Sequence, residues 1–198
     1  MSIANDVKVY LRNRPYVLEA LEKDIANLSK VARMIQKDLK IENESAVKAS
    51  LVRFSTEIRK IKHNREERIL NIFKKVKVSV WDNISLLISE KPIDIESRAA
   101  AKIDPNYIYV VDKRIFEERR KDIQDDILQQ FDDCTVIHLS SPKDIQKIPG
   151  YLATILSILA EQNINVIEFF SCYAETIILI ERFDALRTYE ILYKLMGR

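Results

Sequence analysis

Residues 148–181, IPGYLATILSILAEQNINVIEFFSCYAETIILIE, decide how the rest of the chain is read. The stretch opens on a Pro-Gly turn. It continues as an amphipathic helix and then as two strands joined by a short hairpin. Pro149 suits a first helical turn, and Gly150 allows close backbone approach. Working outward, Thr135 to Leu139 reads as a strand that opens the segment. Phe183 to Met196 reads as a helix that closes it, with Asp184 as N-cap and Ala185, Tyr189, Leu192 and Met196 facing inward.

That order and spacing resemble the ACT domain, a small ligand-sensing module attached to many enzymes and regulators of amino-acid metabolism. The resemblance covers residues 134–196 well and about 130 residues loosely. It implies a β-α-β-β-α-β fold of the ferredoxin-like type. It also places a small-molecule site at the loop from His138 to Gly150, HLSSPKDIQKIPG, together with the start of the second strand. The ligand-binding residues implied are Ser140, Ser141, Ile148, Pro149, Gly150 and Asn165, with an amino acid as effector. The chemistry is general: free N–H groups at a helix N-terminus attract a carboxylate. An ACT domain that only dimerises is the other reading of the same residues.

Upstream, the pattern is again that of strands. Val76, Val78 and Val80 alternate with Lys75, Lys77 and Ser79, Trp81-Asp82-Asn83 reads as a turn, and Ile84 to Ile88 as a second strand. Tyr107 to Val111 is a further strand, and Lys113 to Gln130 a charged helix with a narrow apolar stripe. KVKVSVWDNISLLISE (75–90) aligns without gaps on VIEFFSCYAETIILIE (166–181), a faint repeat 91 residues apart. Residues 66–111 then supply α-β-β-α-β and lack the first strand. Residues 134–196 supply β-α-β-β-α and lack the last. The strands at 107–111 and 134–139 are expected to complete each other's halves, or a partner chain to complete them, and open sheet edges favour a homodimer or larger homo-oligomer.

Residues 1–62 read as all helix. Val7, Tyr10 and Leu11 mark a first helix, ended by Arg14-Pro15. Val17, Leu18, Leu21 and Ile25 mark a second, and Leu28, Val31, Ala32, Ile35 and Leu39 a third, capped by Asn27 or Ser29. Val47, Leu51, Phe54 and Ile58 mark a fourth. The charged connector KIKHNREER, Lys60 to Arg68, continues a helix. Such a bundle includes the helix-turn-helix among its forms, and it is similar to the helical part of archaeal regulators that precede ligand-sensing domains.

Charge divides unevenly. Residues 1–65 hold 14 Lys and Arg against 8 Asp and Glu, and residues 66–198 hold 18 against 22. A basic helical part suits contact with double-stranded DNA. Ser45, Lys48, Ala49 and Arg53 are the candidate DNA-binding residues, backed by Arg59, Lys60, Lys62 and Arg65. A solvated helix face is the plain alternative.

No catalytic constellation is legible. His63 and His138 stand apart, and no His, Cys, Asp or Glu cluster has metal-ligand spacing. The glycine-rich phosphate-binding P-loop, the G-x-S-x-G nucleophile elbow and the G-x-G-x-x-G dinucleotide fingerprint are missing. Glu118, Asp122, Asp125 and Asp126 read as a solvated acidic face. No cofactor is implied. Cys134 and Cys172 lie in strand-like runs and read as buried reduced thiols, with a disulfide open if the strands meet. The 47% apolar content can build cores, no apolar run is long enough to span a bilayer, and no signal-peptide pattern begins the chain. Two glycines and many Ile, Lys and Glu suit a rigid, thermophile-like cytoplasmic protein.

The expectation is an α+β protein. An N-terminal all-helical module (1–65) precedes a ferredoxin-like, ACT-like region built from two related halves (66–131 and 132–198). Its expected role is that of a non-enzymatic, ligand-responsive transcriptional regulator. The alternative is a non-catalytic ACT subunit that binds an enzyme of amino-acid metabolism.

Overall fold

A computed structural model describes residues 2–197. The chain divides between Arg68 and Ile69 into two compact units. The first is helical and the second is a helix-backed antiparallel sheet of ferredoxin-like, ACT-like form.

The first unit holds α1 (Ile3–Arg12), α2 (Pro15–Glu22), α3 (Leu28–Leu39) and most of α4 (Glu44–Phe73). Side-chain oxygens satisfy the starts of three of them: Ser2 accepts from the Asn5 N–H, Asn27 from Lys30 and Asn43 from Ala46. Pro15 stands in the first turn of α2, where its missing N–H costs nothing. Val7, Tyr10, Leu11, Leu21, Ala32, Ile35, Val47, Leu51 and Phe54 form one core. Ile25 departs from the expected stripe and is exposed. Helix α2 ends at Glu22 and Asp24 takes a positive φ, so the chain has left the helical path before it.

The connector Lys60–Arg68 does continue as helix, in one 30-residue α4. The expected change to strand at Ile69 comes too early. Ile69, Ile72 and Phe73 keep helical spacing and, with Val76, bury in the core of the second unit.

The sheet of the second unit has six strands in the order β2-β3-β1-β4-β6-β5. They are β1 (Lys77–Ser89), β2 (Ala99–Ile103), β3 (Asn106–Asp112), β4 (Ile127–Ser140), β5 (Val166–Cys172) and β6 (Glu175–Glu181). Helices α5 (Lys113–Ile123), α6 (Tyr151–Glu161) and α7 (Ala185–Leu195) complete the unit. The two long strands are each used twice. Ile84–Ser89 of β1 lies between β3 and the first part of β4, whereas Lys77–Trp81 pairs with Val136–Ser140 of β4. From Cys134 to Ser140, β4 also pairs with β6. Each half therefore borrows its last strand from the other's long strand.

This arrangement corrects four expectations. Trp81-Asp82-Asn83 is no turn between two strands but an irregularity inside β1, with Asn83 at φ 56°. The strands at 107–111 and 134–139 are not neighbours, because β1 lies between them. The segment before β3 is β2, a strand of AAAKI, because pairing with β3 overrides the helix preference of alanine. The helix from Lys113 stops at Ile123, and residues from Ile127 belong to β4.

The repeat 91 residues apart is likewise replaced by one fifty residues apart. WDNISLL (81–87) and FDDCTVI (131–137) occupy equivalent places about a local pseudo-twofold. Ile84 pairs with Cys134 near its centre, and Trp81–Val136 mirrors Leu86–Phe131. Asp133 matches Asn83 with φ 53°. The hydrogen bonds match too: Ser85 Oγ donates to Asp132 (2.8 Å) and Thr135 Oγ1 to Asp82 (3.0 Å).

The helices lie on one face of the sheet. The end of α4 with α6 and α7 covers one half, around Ile137, Leu139, Ile155, Leu159 and Leu192. Helix α5 covers the other, where Phe116 and Ile123 meet Leu87 and Val111. On the opposite face Ile84, Leu86, Val110, Cys134, Val136 and Leu179 are buried, with Trp81, Phe131 and Phe170 packed against them.

The backbone at the two-fold yields a test. Asn tolerates the left-handed region, and a β-branched residue does not. Asn83→Val is expected to lower stability in urea unfolding by about 1–2 kcal/mol. Asn83→Gly should be neutral or stabilising.

Candidate functional site

At the end of β4 the chain folds its next residues against the start of α6. The Ser141 N–H donates to the Ala174 carbonyl (2.8 Å), which ties the loop to the β5–β6 hairpin. Lys143–Lys147 makes a 3₁₀ turn, anchored by buried Ile145, and buried Ile148 follows. Gly150 is the N-cap of α6 at φ 95°, a conformation side chains rarely adopt, and no side chain caps the helix. The N–H groups of its first turn are thus left for water or a ligand.

A cavity of about 330 Å³ opens on this helix start. Ile145, Ile148, Gly150, Ala153, Ser171 and Tyr173 are among its lining residues. The Lys143 ammonium stands 5.9 Å from the ring centre of Tyr173. Beneath, the hydroxyls of Ser141 and Tyr151 share a hydrogen bond of 3.0 Å. Burial raises the Tyr151 phenol above its usual range, against the lowering effect of Ser141. The Tyr151 ring stacks on Phe73, the last residue of α4, with centroids 4.8 Å apart. The arrangement offers an anion unpaired N–H groups and the positive end of a helix dipole in a half-apolar recess.

The six residues expected at a ligand site do not all meet here. Ile148 and Gly150 line the cavity. Ser141 lies below it, bonded to Tyr151, and Ser140 Oγ donates to Glu175 (3.1 Å). Pro149 is exposed and lies before the N-cap Gly150, outside the first helical turn expected for it, because α6 begins at Tyr151. Asn165 is elsewhere. Helix α6 runs back along the sheet before β5 begins, so Asn165 lies near Cys134, in the middle of β4, and lines a different cavity. Cys134 and Ser140 are six residues apart on one strand, roughly 20 Å. Ser171 and Tyr173 were not legible as lining residues. The hairpin brings them there, and the only local sign was their place at its turn.

Ser45, Lys48, Ala49 and Arg53 do come together. With Val52 they form one shallow exposed surface of α4. Lys48 and Arg53 have no ion pair among the described residues. The backing charges are partly spent: Arg59 pairs with Asp24, and Lys62 with Glu22 (3.3 Å) and Glu66. His138 lies in a hydrogen-bonded row across three strands. Its Nδ1 is 3.1 Å from Ser79 Oγ and its Nε2 2.7 Å from Glu175.

Both cysteines are free thiols. Cys134 is buried as expected, but Cys172, at the end of edge strand β5, is exposed. Among the described residues no helix is long and apolar enough to cross a membrane.

No protein-family model matches the sequence, and no curated protein matches it. Solved structures do resemble the fold. Clostridium acetobutylicum aspartate kinase, described as an allosteric enzyme, aligns with a TM-score of 0.52 at 11% identity, covering 60% of this chain and 34% of that one. The chain thus spans about a third of the length of that enzyme. A Vibrio cholerae protein of unknown function aligns with a TM-score of 0.51 at 11% identity, covering 67% and 98%. The regulatory subunit of Thermus thermophilus aspartate kinase aligns with a TM-score of 0.47 at 9% identity, covering 60% and 95%. Identities this low show likeness of fold alone.

The thiols should differ in reactivity. Burial first, then the carboxylates of Asp132, Asp133 and Glu181, push the Cys134 thiol up to about 11, so little thiolate exists at pH 8. In the folded protein a disulfide reagent is expected to label one thiol at pH 8. Cys172→Ser should remove that labelling until denaturant is added.

Proposed function

We propose that this protein is a ligand-responsive regulator, whose ACT-like unit binds a small carboxylate, an amino acid, at the start of α6. The observation that carries this reading is the uncapped α6 N-terminus opening on a cavity closed by Ser171 and Tyr173. The carboxylate would take the free N–H groups, and the apolar wall of Ile145 and Ile148 would receive the side chain. A ligand there would press on Tyr151 and through it on Phe73 at the end of α4. The same helix carries Lys48 and Arg53, so we assign the output to α4. The effector can switch that output only by binding one arrangement better than another.

In the leading version, the helical unit works as a helix-turn-helix module. It places Ser45, Lys48, Ala49 and Arg53 against double-stranded DNA, as part of a homodimer formed through the sheet. Their shared exposed face supports it. A second version has specific support. The pairing of Arg59 with Asp24 and of Lys62 with Glu22 reduces the basic surface, and the fold resembles part of an allosteric aspartate kinase. There the chain is a non-catalytic subunit that docks on an enzyme of amino-acid metabolism.

Calorimetry of the full chain against the amino acids tests the site. Ser171→Trp, at an exposed position, should fill the cavity and abolish binding of whichever amino acid binds the parent protein. Unchanged affinity would place the ligand elsewhere. Titration with duplex DNA separates the two versions, with sedimentation alongside to read self-association. In the first, affinity falls steeply with salt, and Lys48→Ala with Arg53→Ala lowers the salt slope by about 2. DNA binding that ignores both substitutions would remove α4 as the contact.

A further inference from the structure

The pseudo-twofold relates two sets of residues that are not equally filled. In the first half Arg98 forks onto Asp112, its Nε 3.1 Å from Oδ2 and its Nη2 3.2 Å from Oδ1. Its guanidinium carbon stands 5.2 Å from the ring centre of Trp81. A cation is held there between an aromatic face and a carboxylate.

The symmetry carries Trp81 onto Phe131 and Ile84 onto Cys134. It carries Asp112, which pairs with Ile84, onto Glu181, which pairs with Cys134. It carries Arg98, just before β2, onto Val166 at the start of β5, and Ala99 onto Glu168, with Ile167 an extra residue at the irregularity between them. The aromatic ring and the carboxylate are kept, and the guanidinium is not. In its place is a cavity of about 920 Å³, among whose lining residues are Phe131, Cys134, Asn165, Val166, Glu181 and Phe183.

The groups around it leave the Glu181 carboxylate without a partner. Asp133 pairs with Lys113 (2.8 Å), and Arg182, also in the lining, pairs with Asp82 (2.9 Å). Asp132 accepts hydrogen bonds from Ser85 and Gln130. The Glu181 carboxylate has no hydrogen bond or ion pair among the described residues. The raised Cys134 thiol, though moved chiefly by burial, also registers the negative field of Asp132, Asp133 and Glu181.

We propose that this cavity binds the guanidinium group of a ligand, held between the Phe131 ring and the Glu181 carboxylate as Arg98 is held between Trp81 and Asp112. The planar fork suits a carboxylate better than an ammonium does. The volume admits a whole small molecule. This site lies beside the middle of β4, away from the α6 recess that follows the end of that strand, and does not depend on it. Agmatine, which carries a guanidinium and no carboxylate, separates the two.

Calorimetry on the full chain is the test, with agmatine, its urea analogue (the same amine with an uncharged urea in place of the guanidinium) and N-acetyl-arginine amide as probes. Agmatine is expected to bind at one site and the urea analogue to bind far more weakly. Glu181→Gln should weaken agmatine roughly ten- to a hundredfold. Asn165→Arg, which tethers a guanidinium at the rim, should abolish binding without loss of thermal stability. Arg98→Ala, which empties the symmetric place, should raise the stoichiometry towards two. N-acetyl-arginine amide binding as tightly as agmatine would identify the natural occupant as an arginine side chain of a polypeptide, and weaker binding would identify a free small molecule. No binding of agmatine, equal binding of the urea analogue, or indifference to Glu181→Gln would overturn the proposal.

Discussion

The crossing of β1 and β4 at Ile84 and Cys134 is the constraint on which the second unit depends. Each strand serves one half on one side of the crossing and the other half beyond it. Neither half has a complete sheet without the other, since an unpaired edge would stand where the borrowed strand runs. The crossing is held reciprocally. Asp82 takes the Thr135 hydroxyl, Asp132 takes the Ser85 hydroxyl, and Arg182 and Lys113 close the ends. Burial would raise the Asp82 carboxyl, but the Asn83 N–H, Thr135 and Arg182 outweigh it and hold it below the usual range. Asn83 and Asp133 supply the positive φ that lets each strand change partners.

From that crossing the two candidate sites take their places. In the second half a helix follows β4, and its N-terminus has no capping side chain. In the first half the segment from β1 to β2 carries no helix; it is pinned instead by buried Ile93, whose N–H donates to Tyr109 Oη. An anion recess of the α6 kind therefore exists in one half only. The guanidinium of Arg98 also exists in one half only, and the cavity at Glu181 is its counterpart. Two related folds have diverged beyond the ends of their long strands and again beside the crossing.

The helical unit rests on packing more than on its charges. Leu11, Leu21, Ile35 and Leu51 have no exposed surface, and truncating any one to Ala costs about 2–5 kcal/mol. The ion pairs that link its helices are partly exposed and contribute about 0–1 kcal/mol each. Their larger effect is on surface charge. They occupy Arg59 and Lys62 and leave Lys48 and Arg53 on the outer face of α4.

Local pattern determined much of this protein. The 3.6-residue stripes of α1 to α4, the hairpin of β5 and β6, the helix before it and the Pro149-Gly150 turn all follow from residues within a few positions of one another. So does the placing of Gly150 at a helix start, and with it half of the α6 recess. Tertiary structure alone decided what depends on partners far along the chain. Ala99–Ile103 is a strand because β3 is beside it, and Trp81-Asp82-Asn83 stays inside β1 because β4 pairs on both sides of it. Asn165 parts from Gly150 because α6 carries the chain back along the sheet, and Ser171 and Tyr173 join Gly150 because the hairpin returns them. Periodicity reports which face a residue turns inward; it carries no record of which strand will pair there, since that is settled by burial and backbone hydrogen bonding between segments distant in sequence.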